Sequence, residues 1–418
     1  MKLEQFINSI LNKFPRLKKI IKRFYQKIMY AISPKIKSEG NIIRITPDDE
    51  YEYFFGYYDK SPWDATEKYM LCLRVKNAWK EVAPKEKAEI VLIDTKNSNE
   101  VQVIAETSTW NVQQGCMLQW LGPKYDKEII YNDFRNGKYC SVICNVFTQE
   151  ERIIDFPIYA VSNMGDFAFS LDFSRLHRLR PGYGYSNIEE KTKNEKMPDS
   201  CCVWYIDLKA NKVSEYLNFQ DFYNFEKREE MIDAEHKVNH IMISPNNKKI
   251  MIIHRWFKGQ KKYSRLITCN IKTKKLFNLS DDNMVSHCSW KNNDQILAFL
   301  HKNKEGNGYF LMNDGSKKYI HCFPDICNDG HPSYSPNGKY IVTDTYPNRA
   351  RIQEVKIIDS NEEKNNVKVI AKVFSPFKYD NDTRCDLHPR WNRKGDKICI
   401  DSTFEGKREL YVVEVNND

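Results

Sequence analysis

The sequence predicts an all-β repeat fold, and three observations carry that prediction. A phrase made of a strand, a tight polar turn and a second strand recurs along the 418 residues. Its clearest copies return at 47, 44 and 57 residues, measured between His240, His287, His331 and His388. Only strands lie between the copies. A period of this size built from strands alone describes a β-propeller. Counting hairpins gives seven blades, with a six-bladed ring as the alternative.

The elements follow in order. Residues 1–40 read as a basic amphipathic helix and linker, and residues 41–418 as the propeller. In the first segment Ile7, Ile10, Phe14, Leu17, Ile21, Phe24 and Ile28 are spaced by threes and fours, which lines one helix face. Pro15 starts a second helix or kinks the first. Residues 1–38 hold ten Lys or Arg and one acid, leaving 55 basic and 55 acidic residues in the rest. The body is therefore balanced, which argues against a nucleic-acid-binding face. The basic helix suits an anionic membrane surface; a helix packed on the body or on a partner is the alternative. No apolar run here is long enough for a transmembrane helix or a signal peptide.

The hairpins then run "YYDKSPWDATEKYMLCLRV" (57–75), "QQGCMLQWLGPKYDKEIIYND" (113–133), "PIYAVSNMGDFAFSLDF" (157–173), "NHIMISPNNKKIMIIHRW" (239–256), "SHCSWKNNDQILAFLH" (286–301), "DGHPSYSPNGKYIVTDTYP" (329–347) and "DLHPRWNRKGDKICIDSTFEG" (386–406). The last blade runs out of chain after about three strands. "NIIRITP" (41–47) is placed to supply the missing outer strand and close the ring. The oversized, polar region 176–235 is expected to form, in its first part, a lip over the axis. Twelve scattered cysteines, with no C-x-x-C, read as unpaired thiols of a reducing compartment; a secreted protein with some disulfides is the alternative.

The first strand of each blade lines the axis, so His240, His287, His331 and His388 should converge at one mouth. Asp386 lies two residues before His388 and shares its strand face. Such a set suits a divalent metal, Mn or Zn. Alternatively each His is a structural part of its repeat. His254 and His301, fourteen residues after His240 and His287, are placed to face the same mouth. No nucleotide-binding glycine motif, nucleophile elbow or H-E-x-x-H zinc motif is present, so no nucleotide cofactor is indicated.

The blocks "FFGYYDKSPWD", "QQGCMLQW", "YNDFRNGKY", "PIYAVSNMGDFAFSLDFSRLHRLRPGYGY", "HRW", "DGHPSYSPNGKYIVTDTYP" and "DLHPRW" together resemble seven-bladed propeller polysaccharide lyases over residues 52–415. The resemblance is closest to the ulvan-lyase-like group and more distant to oligogalacturonate lyases. It implies that Tyr159 and Arg175, sixteen residues apart, serve the reaction. Where those enzymes carry upstream histidines, this chain has Gln113 and Gln114. It also implies a Mn site, with His331 and His388 equivalent to two ligands and Asp386 where another His is expected.

β-Elimination from a uronate needs a cation to offset enolate-like charge, a base and an acid. Arg175 is placed to neutralise the carboxylate, and Tyr159 to act as base or acid if Arg175 lowers its pKa. The alternatives are a packed aromatic for Tyr159 and a buried ion pair with Asp172 for Arg175. Gln114, Arg180, Tyr183, Tyr185, His254, Arg255 and Trp256 complete the expected substrate-binding set, with Trp391 as a further stacking surface. The first functional reading is thus a lyase-like enzyme acting on an acidic polysaccharide or oligosaccharide. The second is a glycosyltransferase-type or glycan-binding protein of capsule or surface-polysaccharide biosynthesis. It would be cytoplasmic and peripheral on the inner membrane face, without lyase activity. A propeller scaffold for protein partners is the third.

Overall fold

A computed structural model describes residues 15–34, 36–361 and 366–415. Seven antiparallel sheets follow one another along the chain. Their own strands span residues 52–107, 119–154, 160–218, 235–280, 285–322, 333–374 and 390–414, and are called blades 1 to 7 here. The ring is seven-bladed, not six-bladed. The middle strands of each blade, such as Tyr69–Val75 and Ala88–Asp94, are almost wholly buried because each blade packs between two others. One buried cluster runs from Tyr57 to Met312 across blades 2 to 5, and another joins blades 1, 2 and 7.

Closure uses the N-terminal strand, as the missing outer strand of the last blade predicts. Ile42–Arg44 pairs with Glu409–Glu414, with Ile43 opposite Val412. Thr46 donates to Glu409 at 2.6 Å, and Arg44 pairs with the same carboxylate at 3.0 Å. The segment read as a linker contributes too. Ser38–Glu39 pairs with Val367–Phe374 as a fifth strand of blade 6.

Helix α1 (Pro15–Ile32) precedes these strands. Ile7, Ile10 and Phe14 lie outside the described residues. The helix is held by its polar side. Arg23 donates to the Phe377 carbonyl at 2.7 Å and pairs with Asp380 at 3.1 Å, and Tyr30 stacks on Phe374 at 4.9 Å. Among the described residues, no helix is long and apolar enough to cross a membrane.

About a quarter of the region read as one long insertion, 176–235, is sheet. Cys201–Asp207 and Lys212–Asn218 are the outer strands of blade 3. In Lys212–Asn218 the polar exposed positions hid the alternation. Before these two strands come helix α2 (Phe173–Leu179) and a lip, residues 180–200; after them come helix α3 (Phe219–Asn224) and a 3-10 turn, Glu229–Met231. Asp172 caps α2 by accepting from the Arg175 backbone N–H.

Candidate functional site

The repeated histidines do converge. Ring centroids lie 4.2 Å apart for His287 and His331, 4.3 Å for His331 and His388, and 6.1 Å for His240 and His287. Local irregularity aims them at the axis. The pairing slips between Asn239 and Met242 in blade 4, and between Val285 and Cys288 in blade 5. A bulge of this kind re-aims a side chain. His240 and His388 take positive φ, 54° and 44°. Each such residue costs ~1–3 kcal/mol, so the surroundings must hold it. They do: the His240 N–H donates to Tyr159 Oη at 3.2 Å, and the His388 N–H to Asp344 Oδ2 at 3.2 Å.

Two tyrosines fill the centre. Tyr57 Oη meets His240 Nδ1 at 2.9 Å, and its ring lies 5.1 Å from that of His388. Tyr58 Oη donates to the Cys288 carbonyl at 2.8 Å and accepts from the Cys288 N–H at 3.1 Å. Burial pushes both phenols well above their usual range, so both stay protonated. Burial, then Arg255, holds His240 neutral; burial, then His331, does the same for His388. For His331 burial pulls the other way, but the Asp344 carboxylate, 2.8 Å from its Nδ1, wins and raises it.

His331, Asp386 and His388 offer ligand atoms that all lie within 4.8 Å of one another. The Nε2 atoms of both histidines are buried without a hydrogen-bond partner. Two unpartnered nitrogens beside a carboxylate fit a divalent cation. The five-residue set expected from sequence narrows to these three. His240 Nδ1 is taken by Tyr57, and His287 Nδ1 by Asp329 at 3.0 Å. Arg384 binds both oxygens of Asp386, which keeps the carboxylate ionised despite its burial.

A mouth lies above the cluster, a cavity of about 500 Å³ lined by Gln113, Arg180, Tyr183, Lys237, Arg255, Lys262, Asp382 and Arg384 among others. The lip closes the floor of this mouth, as expected. The Tyr183 ring meets Tyr57 at 6.3 Å and His240 at 6.1 Å, and Arg180 lies over its other side at 4.4 Å. Among the described residues, Arg180, Lys237, Arg255 and Lys262 have no carboxylate within ion-pair distance. Burial and mutual repulsion follow: Lys237 falls well below the usual lysine range, and Lys262 is pushed down to about 8 by burial, then by Arg255 and Arg180. Four basic side chains without carboxylate partners, two of them guanidinium groups, make this cavity a candidate anion site.

Several expected residues do other work. Tyr159 is on the axis, but buried. Its hydroxyl accepts from Gln114 Nε2 at 2.9 Å, and burial, then Asp59, pushes its pKa up; Arg175 does not lower it. Gln114 therefore positions Tyr159 and does not face the mouth. Arg175 is a clamp inside the lip. Its guanidinium pairs with Glu190 at 2.6 Å, not with Asp172, and donates to the carbonyls of His236, Glu195 and Lys196. Tyr185 is buried, stacked on Phe173 at 4.5 Å. His254 and Trp256 sit in a separate buried group: His254 Nε2 meets His236 Nδ1 at 2.9 Å, and Trp256 stacks on Tyr263. Trp391 is buried and donates to the Ser333 carbonyl at 3.1 Å. His301 bonds Asn307 at 2.8 Å in its own hairpin, away from the axial group. The strand of His254 and Trp256 puts both on a blade-to-blade face, a choice that alternation leaves open.

Tyr57, Tyr58, Lys237, Lys262, Asp329, Asp344 and Arg384 were not expected as site residues. Asp344 had a signal, since it lies thirteen residues after His331 as Asp401 does after His388.

The architecture has solved counterparts. An oligogalacturonate lyase from Vibrio parahaemolyticus is 10% identical, superposes with a TM-score of 0.63, and the match covers 91% of this chain and 97% of that one. An oligogalacturonate lyase in complex with manganese is 13% identical, with a TM-score of 0.64 over 92% of this chain and 96% of that one. The β-propeller domain of the Trilobed protease from Pyrococcus furiosus is 12% identical, with a TM-score of 0.50 over 87% and 94%. At these identities the likeness is one of fold. No protein-family model matches the chain, and no curated protein matches it.

Proposed function

We propose that this protein is carbohydrate-active and binds an acidic oligosaccharide in the cationic mouth, with lyase-type β-elimination as its reaction. One observation carries the reading: four basic side chains without carboxylate partners line a cavity whose Arg384 holds Asp386 of the buried His–Asp group. The fold it shares with oligogalacturonate lyases supports it.

Arg180, Arg255, Lys237 and Lys262 would neutralise uronate carboxylates, which acidifies the adjacent C–H bond. His331, Asp386 and His388 would hold a divalent metal, Mn or Zn, whose Lewis acidity would offset enolate charge when bound. The neutral imidazole of His240 is the candidate proton acceptor, in place of Tyr159; Tyr57, which donates to its Nδ1, would have to yield that bond. The Tyr159–Arg175 spacing behind the ulvan-lyase-like resemblance joins an axial phenol to a lip clamp, so the oligogalacturonate-lyase-like reading is the better supported.

Incubation with oligogalacturonate and manganese should generate an unsaturated uronate with new ultraviolet absorbance. Arg255→Ala should weaken oligogalacturonate binding by roughly tenfold or more. Unaltered binding by that variant, or no binding by the wild type, would overturn the reading. A glycan-binding or glycosyltransferase-type role in capsule or surface-polysaccharide biosynthesis has one observation in its favour. Tyr183 separates the mouth from the His–Asp group. Binding without any absorbance change, across a panel of uronate polymers, would select it.

An anionic membrane surface is the second proposed partner, with the inner membrane face as its location. Its support is α1, which carries six Lys or Arg and no acid.

A further inference from the structure

Helix α1 is mounted the wrong way round for a helix that packs on its own domain. An amphipathic surface helix normally buries its apolar stripe and exposes its charges. Here Arg23, Gln26 and Tyr30, on one side, meet the body. The opposite side carries Leu17, Ile20, Ile21, Phe24, Ile28 and Ile32, between 41% and 72% exposed. Lys22 and Lys27 flank this stripe and are exposed. A wide apolar stripe edged by lysines, with no acid on the helix, is complementary to acyl chains beneath anionic headgroups.

The helix is also tied to the mouth. Its body contacts are Phe374, Phe377 and Asp380. The same stretch continues through Asn381, Asp382 and Arg384, which line the mouth. Three residues separate Asp380 from Arg384, at most about 14 Å of chain. Arg351 stiffens the stretch by donating to the Ser375 hydroxyl at 2.9 Å and the carbonyls of Pro376 and Tyr379. On the next loop, Arg349 lies over Tyr25 of the helix at 5.6 Å, while Tyr346 faces His331 on the axis at 5.7 Å. The exposed stripe and the cationic mouth therefore belong to the same side of the ring.

We propose that α1 docks this side on an anionic membrane and that the ligand of the mouth is an acidic oligosaccharide attached to that membrane. The inference rests on the acidic-oligosaccharide reading of the mouth and names the source of that ligand. Docking makes the second contact intramolecular, so the two weak sites act as one strong one.

The test uses the full chain, a free oligogalacturonate, and the same oligogalacturonate coupled to a lipid in phosphatidylcholine–phosphatidylglycerol vesicles. The coupled form should bind about 100-fold more tightly than the free form. Ile20→Glu, Phe24→Glu and Ile28→Glu together change only exposed positions. That variant should lose the advantage, and should lose sedimentation with sugar-free phosphatidylglycerol vesicles, while keeping its affinity for the free form. Equal affinity for free and coupled sugar would overturn the inference. So would a wild-type dimer in analytical ultracentrifugation that the triple variant abolishes, because a second copy would then cover the stripe. Sedimentation with sugar-free vesicles but no binding of either sugar form would instead refute the reading of the mouth.

Discussion

The amine of Lys262 is pushed down to about 8, well inside the range where a lysine is normally charged. A bound carboxylate stabilises the charged amine, so binding favours the protonated form. Affinity for oligogalacturonate should therefore fall as pH rises through about 8, and calorimetric titration at successive pH values checks this. Lys262→Met should flatten that decline, and added salt should weaken it, because the side chain is partly exposed. Asp344 holds His331 Nδ1 and so turns Nε2 toward the axis. Asp344→Asn should lower Mn affinity about 10–100-fold, read by metal titration with the fold intact by circular dichroism. Arg175 makes a different kind of prediction. Its pair with Glu190 is fully buried, so Arg175→Met should destabilise the protein by ~3–5 kcal/mol. A variant that melts like the wild type yet fails to turn over substrate would restore Arg175 to the chemistry.

At the level of elements, the lip depends on a few backbone positions. Gly184 has φ +74°, and a Cβ there would collide with the Phe173 carbonyl. Gly184→Ala should cost ~1–3 kcal/mol, spent locally on the lip. Limited proteolysis should then cut within residues 180–200 before the blades unfold. The inner strands were legible because their alternation, turns and histidines repeat. The edge strand of blade 3, Lys212–Asn218, was not, since an exposed edge strand carries few apolar residues to mark it. The site was legible where it follows the repeat, at His331, His388 and Asp386. It was illegible where the group is not a repeated residue type, as with Tyr57 in a loop, Lys237 on the inner strand of blade 4 and Lys262 on its third strand. Alternation says which residues share a face, but every blade has two buried faces. His254 and Trp256 went to the second of these.

For the whole molecule, closure is the main constraint. Ile42–Arg44 completes blade 7, and Arg44 and Thr46 lock it to Glu409. Removing residues 1–34 should leave the thermal midpoint within a few degrees of the wild type. Removing residues 1–47 should lower it clearly, since about three ladder hydrogen bonds and the burial of Ile45 are lost, worth ~3–5 kcal/mol together. Differential scanning calorimetry of the two truncations separates these outcomes. By itself the sequence determined the repeat, the strand order, the strand that closes the ring, and the concentration of positive charge in one terminal helix. Each of these is written in local alternation or composition. Tertiary structure alone decided that three of the axial groups face one another, that Arg175 and Tyr185 are internal supports, and that the helix turns its apolar side outward. Those outcomes depend on which of two equivalent faces a neighbour covers, and that neighbour lies far away in the chain.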